Sequence, residues 1–410
     1  MEIMISSSKV NTGKPAKAGR LWIALILGAL TAFGPLSLDM YLPSLPDLAK
    51  DLHSSPSLAQ LSLTACLVGL AVGQLVAGPL SDVRGRRMPL IVGLSLYVIT
   101  SFLCSMSTSI EALIVLRFIQ GLGGSAGVVV ARAMVRDMYS GTELTRFFAL
   151  LMLINGVAPI AAPIAGGQLL RFTSWPGVFI VLGVIGLVML ASVLFGLRET
   201  LPEAQRSGGG LKSTLATFGR LLGDRMFMGY ALSQGLVFAA MFAYIAGSPF
   251  VIQNLFGATP QMFSLIFAVN GLGIIITGQV TGKLAERFGE TKLLVAGLIY
   301  AAVGGLLLLA MTLLGAGLIA TLIPLFMVVS SVGIVSTAAF SLAMQQQGQS
   351  AGSASALQGL LSMIGGALVA PLVGLGGSGT ALPMGIVIAV ADVGAILCYV
   401  LMIRRSGKKL

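Results

Sequence analysis

Gly78-Pro-Leu-Ser-Asp-Val-Arg-Gly-Arg-Arg87 is a short polar stretch set between long apolar runs, and a degenerate copy returns as Gly282-Lys-Leu-Ala-Glu-Arg-Phe-Gly289. Aligning Leu80 with Leu284 puts Asp82 opposite Glu286 and Gly85 opposite Gly289, 204 residues apart in a chain of 410. A polar turn repeated at half the chain length, inside an otherwise apolar sequence, points to two related membrane halves.

The composition fits that reading. The chain is 56% hydrophobic and 10% charged, whereas soluble domains carry roughly 25% charged residues. A spanning helix needs about 20 apolar residues, and the sequence holds about a dozen such runs. The runs are continuous and do not alternate, which excludes a β-barrel. The expectation is an all-α polytopic membrane protein of 12 transmembrane helices in two six-helix bundles.

Net charge is +11. In a soluble protein that excess would raise the question of nucleic acid, but the placement of the cations answers differently. With the N-terminus inside, 22 of the 25 Lys and Arg fall in inner segments, leaving only Lys50, Arg171 and Arg117. That asymmetry is the positive-inside pattern and places both ends in the cytoplasm. The three cysteines, Cys66, Cys104 and Cys398, lie far apart in apolar runs and read as small core residues. The first apolar run is too long for a signal-peptide core and is read as an uncleaved first span.

Spans are read at about 21–44, 57–80, 89–106, 110–135, 144–170 and 178–197, then 226–252, 260–281, 293–314, 317–344, 353–375 and 382–403. The organisation is a basic cytoplasmic tail over 1–20, a bundle over 21–197, a linker over 198–224, a second bundle over 225–403 and a tail over 404–410. A short external turn holds Asp47, Lys50, Asp51 and His53, and the linker, with Ser207-Gly-Gly-Gly210, reads as flexible. The turn from Gln345 to Ser353 carries no charge.

An ionisable residue in hydrocarbon costs on the order of 2.5–3.5 kcal/mol, so each one needs a reason. Asp39 stands in Leu36-Ser-Leu-Asp-Met-Tyr-Leu-Pro43, bracketed by Pro35 and Pro43, which loosen the helix. Taken out of water, its carboxyl favours the protonated form and can bind a proton or a cationic or polar substrate. The bland alternative is an aspartate at the external interface, capping the helix break. Arg117 cannot give up its proton and needs an acceptor. It is either a fixed charge tuning a carboxylate during transport or a static salt bridge or carbonyl clamp. Gln120 is a pocket or packing residue. Asp392 is read as structural, bonded to a neighbouring helix, with the cavity as the other option. Glu111 is read as interfacial, and His53 as solvated.

Span 5 carries Asn155-Gly-Val-Ala-Pro-Ile-Ala-Ala-Pro-Ile-Ala-Gly-Gly167, a run of small residues and prolines suited to a kinked, tightly packed helix. Phe33, Met40, Tyr41, Tyr230, Phe238, Met241, Phe242 and Tyr244 either line an apolar pocket or face lipid. The candidate substrate contacts are thus Asp39, Phe33, Tyr41, Gln120, Asn155, Tyr230, Phe238 and Phe242. The sequence offers no metal-ligand cluster, phosphate loop or nucleophile–base pair. No cofactor is expected, and any pumping must draw on an ion gradient.

Over nearly its whole length the chain resembles the major facilitator superfamily, and within it the drug:proton antiporters of the bicyclomycin-resistance (Bcr/CflA) branch. The 78–87 stretch resembles that family's 2–3 loop motif, Arg117-Phe-Ile-Gln-Gly121 its span 4 motif, and Ala162-Pro-Ile-Ala-Gly-Gly167 its exporter motif in span 5. Leu38-Asp-Met-Tyr-Leu-Pro-Ser-Leu-Pro46 and Ala131-Arg-Ala-Met-Val-Arg-Asp-Met-Tyr139 are most similar to bicyclomycin and phenicol exporters. The resemblance implies proton coupling through Asp39 and Arg117. It also implies a cytoplasmic latch joining Asp82, Arg86 or Arg87 and Asp137. Gly78, Gly85, Pro159, Pro163, Gly166, Gly167 and Glu286 join these as gating positions. Two departures stand out: Val83 occupies the position after the aspartate where the motif has arginine, with Arg84 following, and Ala162 replaces a glycine. The implied protein is a monomeric exporter of small-molecule drugs in the bacterial inner membrane, its partners being protons, drug and the bilayer but no nucleic acid. The rivals are an uptake symporter for a nutrient and a non-transporting membrane enzyme or sensor.

Overall fold

The computed structural model describes residues 17–203, 206, 211–345, 347, 351–377 and 379–404. Among them every regular element is helical. Backbone groups in hydrocarbon must be satisfied within the segment, and long apolar runs do this as helices.

The first span is broken. Helix α1 (Lys17–Thr31) begins inside the stretch read as tail, and α2 (Phe33–Asp39) opens the segment Phe33–Asp51, which is bent by 41° from Trp22–Thr31. A 3-10 turn at Leu42–Ser44 then leads into α3 (Leu45–Asp51). Pro35 has no N–H to donate to Thr31 at the bend, and Pro43 has none to continue the helix from Asp39, which accounts for the second break. The expected external turn at 47–51 is therefore helical. Next come α4 (Pro56–Arg84), α5 (Arg87–Ser105), α6 (Ile110–Met138), α7 (Gly141–Leu169) and α8 (Trp175–Gly196). The second half holds α10 (Arg225–Pro249, extended by a π-turn to Leu255), α11 (Pro260–Phe288), α12 (Glu290–Leu313), α13 (Leu318–Gln345), α14 (Ala351–Val373) and α15 (Leu382–Cys398). Eleven helices are long and apolar enough to span, and the bent first pair makes twelve.

Between the halves, the linker is not uniformly loose: α9 (Leu211–Gly223) packs Phe218 and Leu221 into the second bundle. The 207–210 glycine run, most of the 345–353 turn and residues 405–410 lie outside the described residues.

Short connections force successive helices to run antiparallel, so the turns at Gly85 and Gly289 fall at one end of the bundle. This basic end differs from the far end in how the halves meet. At the far end a single apolar core runs through both halves, taking Tyr41, Leu45 and Phe179 from one and Tyr244, Phe250 and Phe263 from the other. Toward the basic end the core divides: one cluster belongs wholly to the first half and another wholly to the second. The halves are thus fused at one end and parted at the other.

Five side chains stitch the fused end by donating to backbone carbonyls across the halves. Ser57 reaches Pro371 at 2.7 Å, Gln60 Ala246 at 3.1 Å, Gln253 Pro43 at 3.1 Å, Gln261 Gly167 at 2.7 Å and Ser264 Pro163 at 2.7 Å. Helices α7 and α11 come close because Gly167 lacks a side chain: a Cβ there would overlap Ser264 Oγ and sit 3.2 Å from its Cβ. Disulfides join Cβ atoms about 3.5–4.5 Å apart. In a background cleared of native cysteines, Gly167→Cys with Ser264→Cys should therefore cross-link the halves. After cleavage at a protease site placed in the linker, the halves should migrate together under oxidation and apart on reduction; persistent separation would contradict the closed far end.

Candidate functional site

The break after α2 leaves carbonyls of its last turn without helical donors. Arg117 of α6 supplies one, donating from Nη2 to Ser37 O at 2.6 Å. Its Nη1 donates to Gln120 Oε1, and Gln120 donates onward to Ser101 Oγ at 2.7 Å. The guanidinium is fully buried and lies 4.3 Å over the Tyr41 ring and 5.5 Å from Phe179. Among the described residues no carboxylate touches it. Of the readings open in the sequence, the geometry is that of a carbonyl clamp on the segment that carries Asp39, with the cation beside a helix C-terminus, where its charge is favourable.

Asp39 ends α2 buried, yet it lines a cavity of about 780 Å³ between the halves. Among the described residues no hydrogen bond or ion pair engages its carboxyl group. Cavity walls come from both bundles: Pro35, Gln74, Arg132, Asn155 and Pro159 on one side, and Gln234, Phe242, Tyr244, Phe267, Phe340 and Gln358 on the other. Tyr244 stacks on Phe267 with centroids 5.5 Å apart and accepts a hydrogen bond from Asn270 at 2.9 Å. Gln358 donates to Gln234 at 2.5 Å, while its own carbonyl oxygen is buried without a donor. The space suits one drug-sized molecule held mainly by apolar contact, with a few polar groups to orient it.

Three of the expected substrate contacts, Asp39, Asn155 and Phe242, meet at this cavity. The other five do not line it. Phe33 packs edge-on against Tyr97 in the first half's own core, and Tyr41 hydrogen-bonds Ser62 at 3.3 Å beneath Arg117. Gln120 is occupied by Arg117 and Ser101. Tyr230 belongs to the second half's core, and Phe238 packs on it. Gln74, Arg132, Gln234 and Gln358 were not anticipated; amides and a cation within apolar runs were the available signal. Among the described residues Asp392 neither lines the cavity nor bonds a neighbouring helix: it is fully buried, neither oxygen has a partner there, and a Cβ on Gly305 would lie 3.0 Å from its Oδ2.

At the basic end Arg86, not Arg87, makes the latch. It donates to Asp137 from Nε at 2.7 Å, to Asp82 from Nη1 at 2.5 Å and to Ser81 at 2.9 Å. Arg87 turns away and donates to Leu194 O at 2.6 Å. Gly85 permits the turn with φ of +88°, a region that favours glycine. Glu199, just past α8 and not anticipated, accepts from the backbone N–H of Arg86 at 2.8 Å and of Arg87 at 3.0 Å, capping the start of α5. The second copy keeps the turn, with Gly289 at +80°, but not the latch: Glu286 is exposed and has no partner among the described residues. Of the other gating positions, Pro159 lines the cavity, Pro163 takes the Ser264 bond, and a Cβ on Gly166 would collide with Met40 O, whereas Gly78 has room for one.

The sequence profile described as Major Facilitator Superfamily matches residues 24–370. An uncharacterized MFS-type transporter, YdgK, of Bacillus subtilis is 45% identical over 96% of this chain and 98% of its own. A bicyclomycin resistance protein homolog of Haemophilus influenzae is 29% identical over 94% and 96%. Among solved structures, that of the nucleoside transporter NupG superposes with a TM-score of 0.76 at 14% identity, over 94% of this chain and all of that one.

Burial would push the Glu199 carboxyl up, but the backbone N–H groups of Leu201, Arg86, Arg87 and Thr200 hold it below the usual carboxylate range. A carboxylate depressed in this way stabilises the fold above its ordinary value of about 4.3 and loses that contribution as pH falls through the lower folded value. Glu199→Gln should lower the unfolding temperature at neutral pH and flatten its decline in acid; parallel declines for the two proteins would argue against the cap.

Proposed function

This chain belongs to the Major Facilitator Superfamily and is a membrane transporter, not an enzyme; we propose that it exports small-molecule drugs across the bacterial cytoplasmic membrane in exchange for protons. The observation that carries the reading is Asp39: a buried, unpartnered carboxyl at a cavity shared by two bundles that are fused at one end and parted at the other. The excess of Lys and Arg assigns the basic end to the cytoplasm, so the cavity described here opens inward. The resistance named for the Haemophilus influenzae relative supports drugs as the cargo class, and the apolar walls of the cavity suit such molecules.

In this scheme Asp39 takes a proton while the cavity faces outward. The neutral carboxyl crosses with the closing bundles at low cost, since a charged one would be expensive in hydrocarbon. Facing inward, it releases the proton as drug enters from the cytoplasm, and the occupied transporter returns. Arg117 takes no proton; it fixes the α2 segment so that the carboxyl stays at the cavity. To face outward the far-end seal opens and the halves meet at the basic end; the Arg86 latch lies within the first half and is already formed in the inward-facing arrangement. A membrane potential supplies about 2.3 kcal/mol per charge per 100 mV and a pH difference about 1.4 kcal/mol per unit, enough to hold a tenfold drug gradient. The transporter works as a monomer and needs no cofactor beyond the gradient.

Asp39→Asn should abolish drug-driven proton movement in inverted vesicles while leaving the protein folded and inserted. The substrate is sought with a panel of drug susceptibilities in a pump-deficient host, with and without a protonophore. Coupled export that survives in Asp39→Asn would sink the assignment, and net uptake by the wild type would reverse the direction.

A further inference from the structure

Helices α4 and α5 both pack on α6 and leave a lateral trough between them, of about 560 Å³. Ala77, Leu80, Leu96 and the glycines Gly73, Gly93 and Gly123 form its apolar interior. Val76, Met88 and Val92 at the rim are 57%, 58% and 60% exposed, so the slot opens sideways rather than into the central cavity.

Two guanidinium groups line the same trough toward its basic end, Arg84 and Arg206. Arg84 is the arginine displaced by one position in the loop motif. One residue is about 100° around a helix, and the displacement puts this cation on the trough, while Arg86 alone fills the latch. Among the described residues Arg84 has no hydrogen-bond or ion-pair partner. Arg206 is joined only loosely to Glu203, at 3.7 Å, and its Nε is shut off from water with no acceptor among the described residues. A buried donor without an acceptor is costly, and a planar guanidinium is built to hold a phosphate.

We infer that this trough is a binding site for an anionic glycerophospholipid, with an acyl chain in the slot and the phosphate held by Arg84 and Arg206. A free phosphate would leave the apolar slot unused, and a lipid without net charge would leave Arg84 without a counter-ion. The occupant's headgroup lies near the latch turn, because Arg206 reaches Gly85: a Cβ there would sit 3.0 Å from its Nη2 and 2.6 Å from Glu199 Oε2, a carboxylate that the Arg86 and Arg87 amides already engage. The site needs neither Asp39 nor drug, so it stands apart from the transport reading.

The test titrates the purified full-length protein, in a neutral detergent, with dioleoylphosphatidylglycerol and with dioleoylphosphatidylcholine, counting bound lipid by native mass spectrometry. The wild type should prefer the anionic lipid by about tenfold, as expected for one to two cations near a lipid phosphate. Arg84→Gln with Arg206→Gln should bring the anionic lipid down to the level of the neutral one. Val92→Trp, which blocks the slot and leaves the charges, should weaken both lipids, and glycerol phosphate should displace neither. Equal binding of the two lipids by the wild type, a preference that survives the double substitution, or displacement by glycerol phosphate would each overturn the site.

Discussion

A helix that stops inside a membrane leaves carbonyl groups that water cannot reach. In this protein the stop is at Asp39, where Pro43 withholds the next donor, and the bond from Arg117 to Ser37 O makes the interruption tolerable. Gln120, Ser101, Tyr97 and Tyr41 then surround the guanidinium and tie the first span to α4, α5 and α6. The result is a carboxyl fixed in position yet unpaired. Had Arg117 met Asp39 directly, the pair would have neutralised both, and no unpaired carboxyl would stand at the cavity.

The two ends of the molecule use different chemistry. The far end is closed by apolar packing and by neutral side chains donating to carbonyls. Neutral donors cost less to dehydrate than ions, so a dry seam of this kind can part and re-form without stranding a charge. At the basic end, where the halves are parted, one buried arginine shared between two aspartates and a carboxylate on a helix start hold the first half together. Such contacts are individually modest where water has access.

Much of this was legible in the sequence. Hydropathy located the spans, and the half-length repeat of the polar turn located the halves, because both follow from local composition. The bend of the first span was signalled by Pro35 and Pro43. What local pattern could not settle was which way a side chain points once a helix breaks. Tyr41 and Phe33 flank Asp39 in sequence yet face Arg117 and Tyr97. Arg86 and Arg87 are neighbours of equal charge, and the turn at Gly85 sends one into the latch and the other to Leu194 O. Glu199 stands 113 positions from the amide it caps, a separation that no motif spans. Cavity glutamines were passed over because an amide in hydrocarbon is a fainter anomaly than a charge.

The shared core at the far end has a thermodynamic consequence. Closure by apolar burial weakens on cooling, because its driving force is largely entropic near room temperature. The Arg86 guanidinium at the other end is buried, so its pairs are screened little by added salt. Chilling therefore loosens the far-end seam between the halves, while the latch inside the first half is left in place.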